Sequence, residues 1–231
     1  MKPPYQVPLA IDRPLEQRLD NFVVGGNAEL LGILSKPASD FLGLWITGPE
    51  KSGRTHLLRG CAQALQDRGH KAVFVDCAHN PARALESLAY AVEWSLAVCI
   101  DDIERLVDQR EAEGLLLAAY QSALANRSLF VASHTVSAHS LNFSLADLNS
   151  RMRSLMHFSV VPLNDVEKAQ LLRNRAKRRG YHINQAVLDY WLARAPRDTG
   201  TLLTDLDVLD RATLARKQVV TIPLLKQVLG Y

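Results

Sequence analysis

The sequence predicts an α/β chain: a P-loop core with a five-stranded parallel sheet, followed by a small all-α domain. Two patterns predict it. Short apolar runs alternate with helical periodicity as far as Pro162, and the loop Gly48-Pro49-Glu50-Lys51-Ser52-Gly53-Arg54-Thr55 joins the first run to the first periodic stretch. Beyond Pro162 only helical periodicity remains.

The first 15 residues carry prolines at positions 3, 4, 8 and 14 and little periodicity, so they are expected to form an extended tail. Strand-like runs follow at Leu42–Thr47, Ala72–Cys77, Ser95–Asp101 and Ser128–Ser133, with helical patterns between the first three and again before the fourth. That alternation is the signature of parallel strands with crossover helices. A fifth run, His157–Leu163, closes the series. Four amphipathic helices are then expected, at about Asp165–Arg179, Gln185–Arg194, Thr201–Lys217 and Pro223–Leu229, punctuated by Gly180, Pro196, Gly200 and Pro223. The expected domains are therefore a tail (1–15), a nucleotide-binding core (16–163) and a helical lid (164–231).

Composition narrows the function classes. The chain has 231 residues, 48% of them hydrophobic, and 27 basic against 24 acidic side chains, so its net charge is only +3. No overall field argues for wholesale binding to nucleic acid or to an anionic membrane. Cys61, Cys77 and Cys99 sit in apolar runs without ligand or redox spacing and read as small buried hydrophobes in a reducing compartment. No apolar run approaches the ~20 residues that span a bilayer, and the expected location is cytoplasmic.

The phosphate loop follows a predicted strand and opens a predicted helix, the context in which backbone N–H groups and a helix N-terminus bind phosphate. Gly48 to Thr55 and His56 are the candidate nucleotide-binding residues, with Thr55 as a Mg²⁺ ligand. Arg54 stands where a P-loop ordinarily has lysine. A planar fork replaces a compact ammonium, which diphosphate binding tolerates better than hydrolysis does. The third strand ends in Asp101-Asp102 and resembles a Walker B strand, which lies beside the P-loop strand. Asp101 would hold Mg²⁺ through water, and Asp102 takes the place of the carboxylate that activates the attacking water.

These segments together resemble the AAA+ domain of the replication initiator DnaA, from Asn21 onward. Asp20-Asn21-Phe22-Val23-Val24-Gly25-Gly26-Asn27 is similar to the amino-terminal motif whose backbone lines the family's adenine pocket, which adds Phe22 and Val23 to the candidate site. Gly53-Arg54-Thr55-His56-Leu57-Leu58 and Ile100-Asp101-Asp102-Ile103 match its P-loop continuation and Walker B. Leu148-Asn149-Ser150-Arg151 is similar to the box that supplies an arginine finger to a neighbouring subunit. The chain stops at Tyr231, after the lid, without a helix-turn-helix, and so resembles the Hda family, the DnaA-related regulatory inactivators. Gln6-Val7-Pro8-Leu9-Ala10-Ile11 is similar to the glutamine-led peptide with which that family docks on the replicative sliding clamp. Gln6 would make polar contacts while Val7, Leu9 and Ile11 enter a groove.

The resemblance implies an adaptor that, with the DNA-loaded clamp (the DNA polymerase III β subunit), stimulates ATP hydrolysis by DnaA and so restrains initiation. Its partners would be the clamp and DnaA, with DNA reached mainly through the clamp and no membrane. Arg151 would act as the finger, while ADP or another nucleoside diphosphate, with or without Mg²⁺, holds the core and contributes little or no turnover of its own. His134 replaces a carboxylate in Ala132-Ser133-His134 and reads as a hydrogen-bonded strand-end residue. Gly200 falls where a second arginine sensor is expected, and Arg197 would substitute only if its helix began sooner. The basic segment Lys168, Arg173, Arg175, Lys177, Arg178 and Arg179 reads as a solvated helix face. The alternatives are an ATPase acting in cis, as in a helicase loader, and a DnaA paralogue. A homo-oligomer that hides Arg151 stays open.

Overall fold

The computed structural model describes residues 17–36, 39–94, 96–135, 141–216 and 219–231. They fall into two compact units, one ending at Pro162 and the other spanning Leu163–Tyr231.

In the first unit, a 3-10 turn at Leu19–Asn21 and helix α1 (Ala28–Leu34) precede the sheet. The alternation follows as β1 (Leu42–Gly48), α2 (Arg54–Asp67), β2 (Ala72–Asp76), α3 (Pro81–Glu93), β3 (Ala97–Asp101), α4 (Arg110–Ala125), β4 (Leu129–Thr135), α5 (Ala146–Arg153) and β5 (Met156–Ser159). The five strands are parallel, in the order β2-β3-β4-β1-β5.

One expectation is corrected here. The acidic strand β3 does not lie beside β1, because β4 pairs with both and separates them. The end of β4 is thereby placed between the phosphate loop and the acid pair. Strand ends also move. β4 continues to Thr135, because its register with β1 runs through Gly48↔Thr135. β5 stops at Ser159, because the Asn27 side chain takes over the pairing of Val161: its Oδ1 accepts the Val161 N–H at 2.7 Å, and its Nδ2 donates to the Val161 carbonyl at 3.0 Å.

Side chains alternate across the pleat and feed two separate cores. Val98 and Ile100 of β3, Phe130 and Ala132 of β4 and Trp45 of β1 pack with Leu88 of α3, Leu116 of α4 and Leu148 of α5. Ala97 and Cys99, Leu129 and Val131, and Leu44 and Ile46 pack with Leu34 of α1 and with Leu57, Leu58 and Cys61 of α2. Each fully buried leucine stabilises the unit by about 1.5–3 kcal/mol. The three cysteines are free and buried.

The second unit contains α6 (Asp165–Arg178), α7 (Gln185–Leu192), α8 (Thr199–Arg216) and α9 (Ile222–Leu229) around Leu172, Leu188, Trp191, Leu206 and Leu225. α6 opens with a complete Asn164/Glu167 capping box, α7 is capped by Asn184, and α9 by Thr221 with a proline in its first turn. α8 starts two residues earlier than its glycine suggests. The Asp198 carboxylate accepts the Thr201 N–H at 2.8 Å and acts as the cap, so Gly200 lies inside the first turn. The basic face of α6 is only partly solvated. Lys168 is buried against Asp165, and Arg179 pairs with Asp207 and Asp210. No helix among the described residues is long and apolar enough to cross a membrane.

Candidate nucleotide-binding site and arginine helix

β1 delivers the chain to the phosphate loop at Gly48, where there is no room for a side chain. A Cβ there would lie 2.8 Å from Ser52 Oγ and 3.1 Å from Val160 Cβ. Ser52 N–H donates to the Pro49 carbonyl at 3.2 Å, and the loop then passes through left-handed backbone at Lys51 (φ 60°) and Gly53 (φ 105°). The Gly53 conformation is one that residues with a Cβ rarely adopt, and a Cβ there would stand 3.0 Å from Phe22 Cε2. α2 begins at the next residue, so its N-terminus opens onto the loop. Ser52 Oγ and Arg54 Nη1 are buried with no hydrogen-bond partner among the described residues. An orphaned buried polar group costs about 1–3 kcal/mol, and an anion in the cradle would satisfy both; the loop fits a phosphate group.

The acid pair closes the other side. Thr55 Oγ1 donates to Asp101 Oδ2 at 2.5 Å, and the Ser133 hydroxyl donates to Asp101 Oδ1. Ser133 Oγ also accepts the Asp102 N–H at 3.4 Å, so the residue that β4 brings between the two strands organises both carboxylates. Arg54 is turned to Asp102, donating to its Oδ1 at 3.0 Å, with side-chain exposures of 7% and 23%. Asp102 holds left-handed backbone (φ 54°, ψ 50°), a strained conformation of the kind that collects at functional sites. Burial pushes its carboxyl up to about 6, with repulsion from Asp101 adding to the effect and Arg54 opposing it. Among the described residues no group of three His, Cys, Asp or Glu side chains could hold a metal, so a Mg²⁺ on Thr55 and Asp101 would need ligands from the nucleotide.

His134 accepts from the indole N–H of Trp45 at its Nε2, at 2.7 Å. Burial lowers its pKa from the ordinary histidine value, and the ring is a neutral acceptor locked to β1. On the far side of the loop, Phe22 packs edge-on against the His56 ring at 5.4 Å, and His56 Nε2 donates to the Arg18 carbonyl at 2.8 Å. Val23 is half-buried, whereas Glu50 and Lys51 are exposed. A cavity of about 490 Å³ opens beside this segment, lined by Arg18, Phe22, Val24, Leu31, Gly60 and Gln63 among others. It lies over the second half of α2 and is distinct from the phosphate loop.

Arg151 stands apart from this cluster. It is exposed in the last turn of α5, on the sheet face opposite α2, with its Nε donating to Asp147 at 3.2 Å and its guanidinium 5.9 Å above the Tyr120 ring. The structure therefore gathers the loop, Arg54, Thr55, Asp101, Asp102, Phe22 and His56 into one region and places Arg151 elsewhere. Gln6, Val7, Leu9 and Ile11 lie outside the described residues. Asn27 closes the quoted amino-terminal motif, but its tie to Val161 was not visible in the sequence, nor were the bond from Trp45 to His134 and the coupling of Ser133 to the acids, although Ser133 stood in view beside His134.

Comparison with known proteins agrees with this architecture. The family model for the Hda lid domain matches residues 165–229. An uncharacterized protein of Haemophilus influenzae is 30% identical over 233 residues, covering 97% of this chain and 98% of the relative. Domain III of DnaA from Thermotoga maritima superposes with a TM-score of 0.77 at 17% identity, covering 94% of this chain and 96% of that one. AMPPCP-bound DnaA from Aquifex aeolicus gives 0.66 at 15% identity, over 88% and 68% of the two chains. The five-stranded core and the helical lid have the DnaA-type AAA+ fold, and the chain is an Hda-like, DnaA-related protein that belongs to one family with the Haemophilus influenzae protein.

Proposed function

We propose that the chain is a nucleotide-held adaptor that, together with the DNA-loaded replicative sliding clamp, stimulates DnaA to hydrolyse its ATP and so negatively regulates replication initiation. The observation that carries this reading is Arg151, an exposed guanidinium held between Asp147 and Tyr120 in a different layer from the chain's own phosphate loop. Set against a partner's γ-phosphate, an arginine stabilises charge that grows in the transition state, an effect of ~10³–10⁵ in rate.

The chain's own site supports binding over turnover. Phosphates of ADP or another nucleoside diphosphate would sit on the loop N–H groups and satisfy Ser52 and Arg54, with Mg²⁺ on Thr55 and Asp101. Asp102, in the position of the water-activating carboxylate, already accepts from Arg54. Bound nucleotide would then stabilise the folded core by mass action. Gln6, Val7, Leu9 and Ile11 would engage the clamp, which supplies the contact with DNA, and DnaA is the second partner.

The test adds the protein and DNA-loaded clamp to ATP-bound DnaA and follows ADP. Stimulation should require both additions and should fail with Gln6→Ala; ADP formation at DnaA's own rate in every mixture would sink the proposal. The Thr55–Asp101 geometry favours a second reading, an ATPase acting in cis. Turnover by the isolated protein at the rate of active AAA+ ATPases would select it.

A further inference from the structure

Glu113 is a fully buried carboxylate that neither the phosphate site nor the finger accounts for. It is 0% exposed and pairs with no cation among the described residues; three main-chain N–H groups converge on it instead. Asp108 N–H and Ser144 N–H donate to Oε1, each at 3.0 Å, and Leu145 N–H donates to Oε2 at 2.9 Å. Leu145 is the residue from which α5 starts. Burying a carboxylate costs several kcal/mol unless its lone pairs are filled, and here they are filled largely by the segment that launches the arginine helix.

Asn149 secures the same segment from within α5. Its Oδ1 accepts the Phe143 N–H at 2.8 Å, and its Nδ2 donates to the Phe143 carbonyl at 2.7 Å. Seven residues along α4 from Glu113, two helical turns on the same face, Tyr120 lies under the Arg151 guanidinium. Tyr120 is itself held edge-on by Phe41 and Phe130, with centroids at 5.4 and 5.5 Å. One face of α4 thus grips α5 at both ends, by its start through Glu113 and by its arginine through Tyr120.

We infer that Glu113 and Tyr120 are positioning residues for Arg151, and that α4 is the rigid rail fixing where the guanidinium is presented. The consequence for DnaA rests on the finger reading above; the restraint on Arg151 does not. A reacting group displaced by about 1 Å loses on the order of 10²-fold in rate, so loosening the rail should lower the maximal rate of stimulated ADP formation while leaving the half-saturating concentration of the protein unchanged.

The experiment uses the full chain and reads ¹⁵N relaxation of the Arg151 Nε–H and of the α5 amides, beside the stimulation assay with clamp and DnaA. Glu113→Gln presents an amide N–H₂ to main-chain donors, Tyr120→Leu removes the ring, and Tyr120→Phe keeps it. The order parameter at Arg151 Nε is expected to fall in Glu113→Gln and Tyr120→Leu, toward the flexible range below about 0.6, and to be retained in Tyr120→Phe. Maximal stimulation should fall about tenfold or more in the first two. Should Glu113→Gln not fold, the tyrosine pair decides alone. Unchanged Arg151 order in Tyr120→Leu overturns the inference. Lowered order with undiminished stimulation upholds the restraint and removes Arg151 from the chemistry.

Discussion

The Arg54 guanidinium and the Asp102 carboxylate form an ion pair at 3.0 Å that joins the start of α2 to the end of β3 across the candidate phosphate site. The residue that departs from the P-loop pattern is thus bonded to the residue expected to activate water. Removing Arg54 leaves Asp102 half-buried beside Asp101 with no countercharge, so Arg54→Ala should destabilise the protein by about 1–3 kcal/mol. Asp102→Asn in that background should recover part of the loss. A double-mutant cycle in chemical denaturation should give a coupling of about 1 kcal/mol or more, and purely additive single effects would mean the pair contributes nothing.

Asn27 is the second long-range tie. Its amide bonds both main-chain groups of Val161 and also donates to the Val24 carbonyl at 3.1 Å, in a residue only 4% exposed. Asn27→Ala should cost about 2–3 kcal/mol, at roughly 1 kcal/mol net per bond. Urea unfolding measures this, and a loss below about 0.5 kcal/mol, the range of neutral surface changes, would show that the clamp is not structural.

These two pairings mark the limit of what the sequence displays. Strand runs, crossover helices and the phosphate loop are local patterns, legible because apolar periodicity and glycine spacing report the backbone directly. Asn27 and Val161 are 134 positions apart, and Arg54 and Asp102 are 48, so no window of sequence contains either partnership. The insertion of β4 between β1 and β3 is likewise a property of topology, and only that topology brings Ser133 to Asp101. The early start of α8 is a different case. Asp198 is a standard cap in plain sight, outweighed by the expectation that Gly200 breaks the helix.

His134 supplies a pH dependence with a definite sign. Its folded pKa is lowered, because burial penalises the charged ring, and its Nε2 must stay unprotonated to accept from Trp45. The unfolded chain, with an ordinary histidine near 6.5, therefore takes up the proton first. The stabilisation is complete above about pH 6.5 and is lost as the pH falls below it. Between pH 7.5 and 5.5 Asp102, raised to about 6, acts in the opposite direction in both proteins, so the natural protein should lose stability relative to His134→Gln; an equal change in the two would remove His134 as the cause.

Gly53 resists a side chain on two counts, its left-handed backbone and the Phe22 ring. Gly53→Ala should weaken binding of a fluorescent ADP analogue at least about tenfold, equivalent to ~1.4 kcal/mol. Unaltered affinity would place the nucleotide elsewhere.

Whether Arg151 acts on the nucleotide of DnaA is decided by a single-turnover measurement. DnaA is loaded with radiolabelled ATP and mixed with DNA-loaded clamp and either the natural protein or Arg151→Ala, and the first-order rate of ADP appearance is recorded. The rate should fall by about 10³-fold or more, toward that of DnaA alone, when the arginine is removed, with ADP binding by the Arg151→Ala protein intact. Equal rates from the two proteins would contradict that action of Arg151.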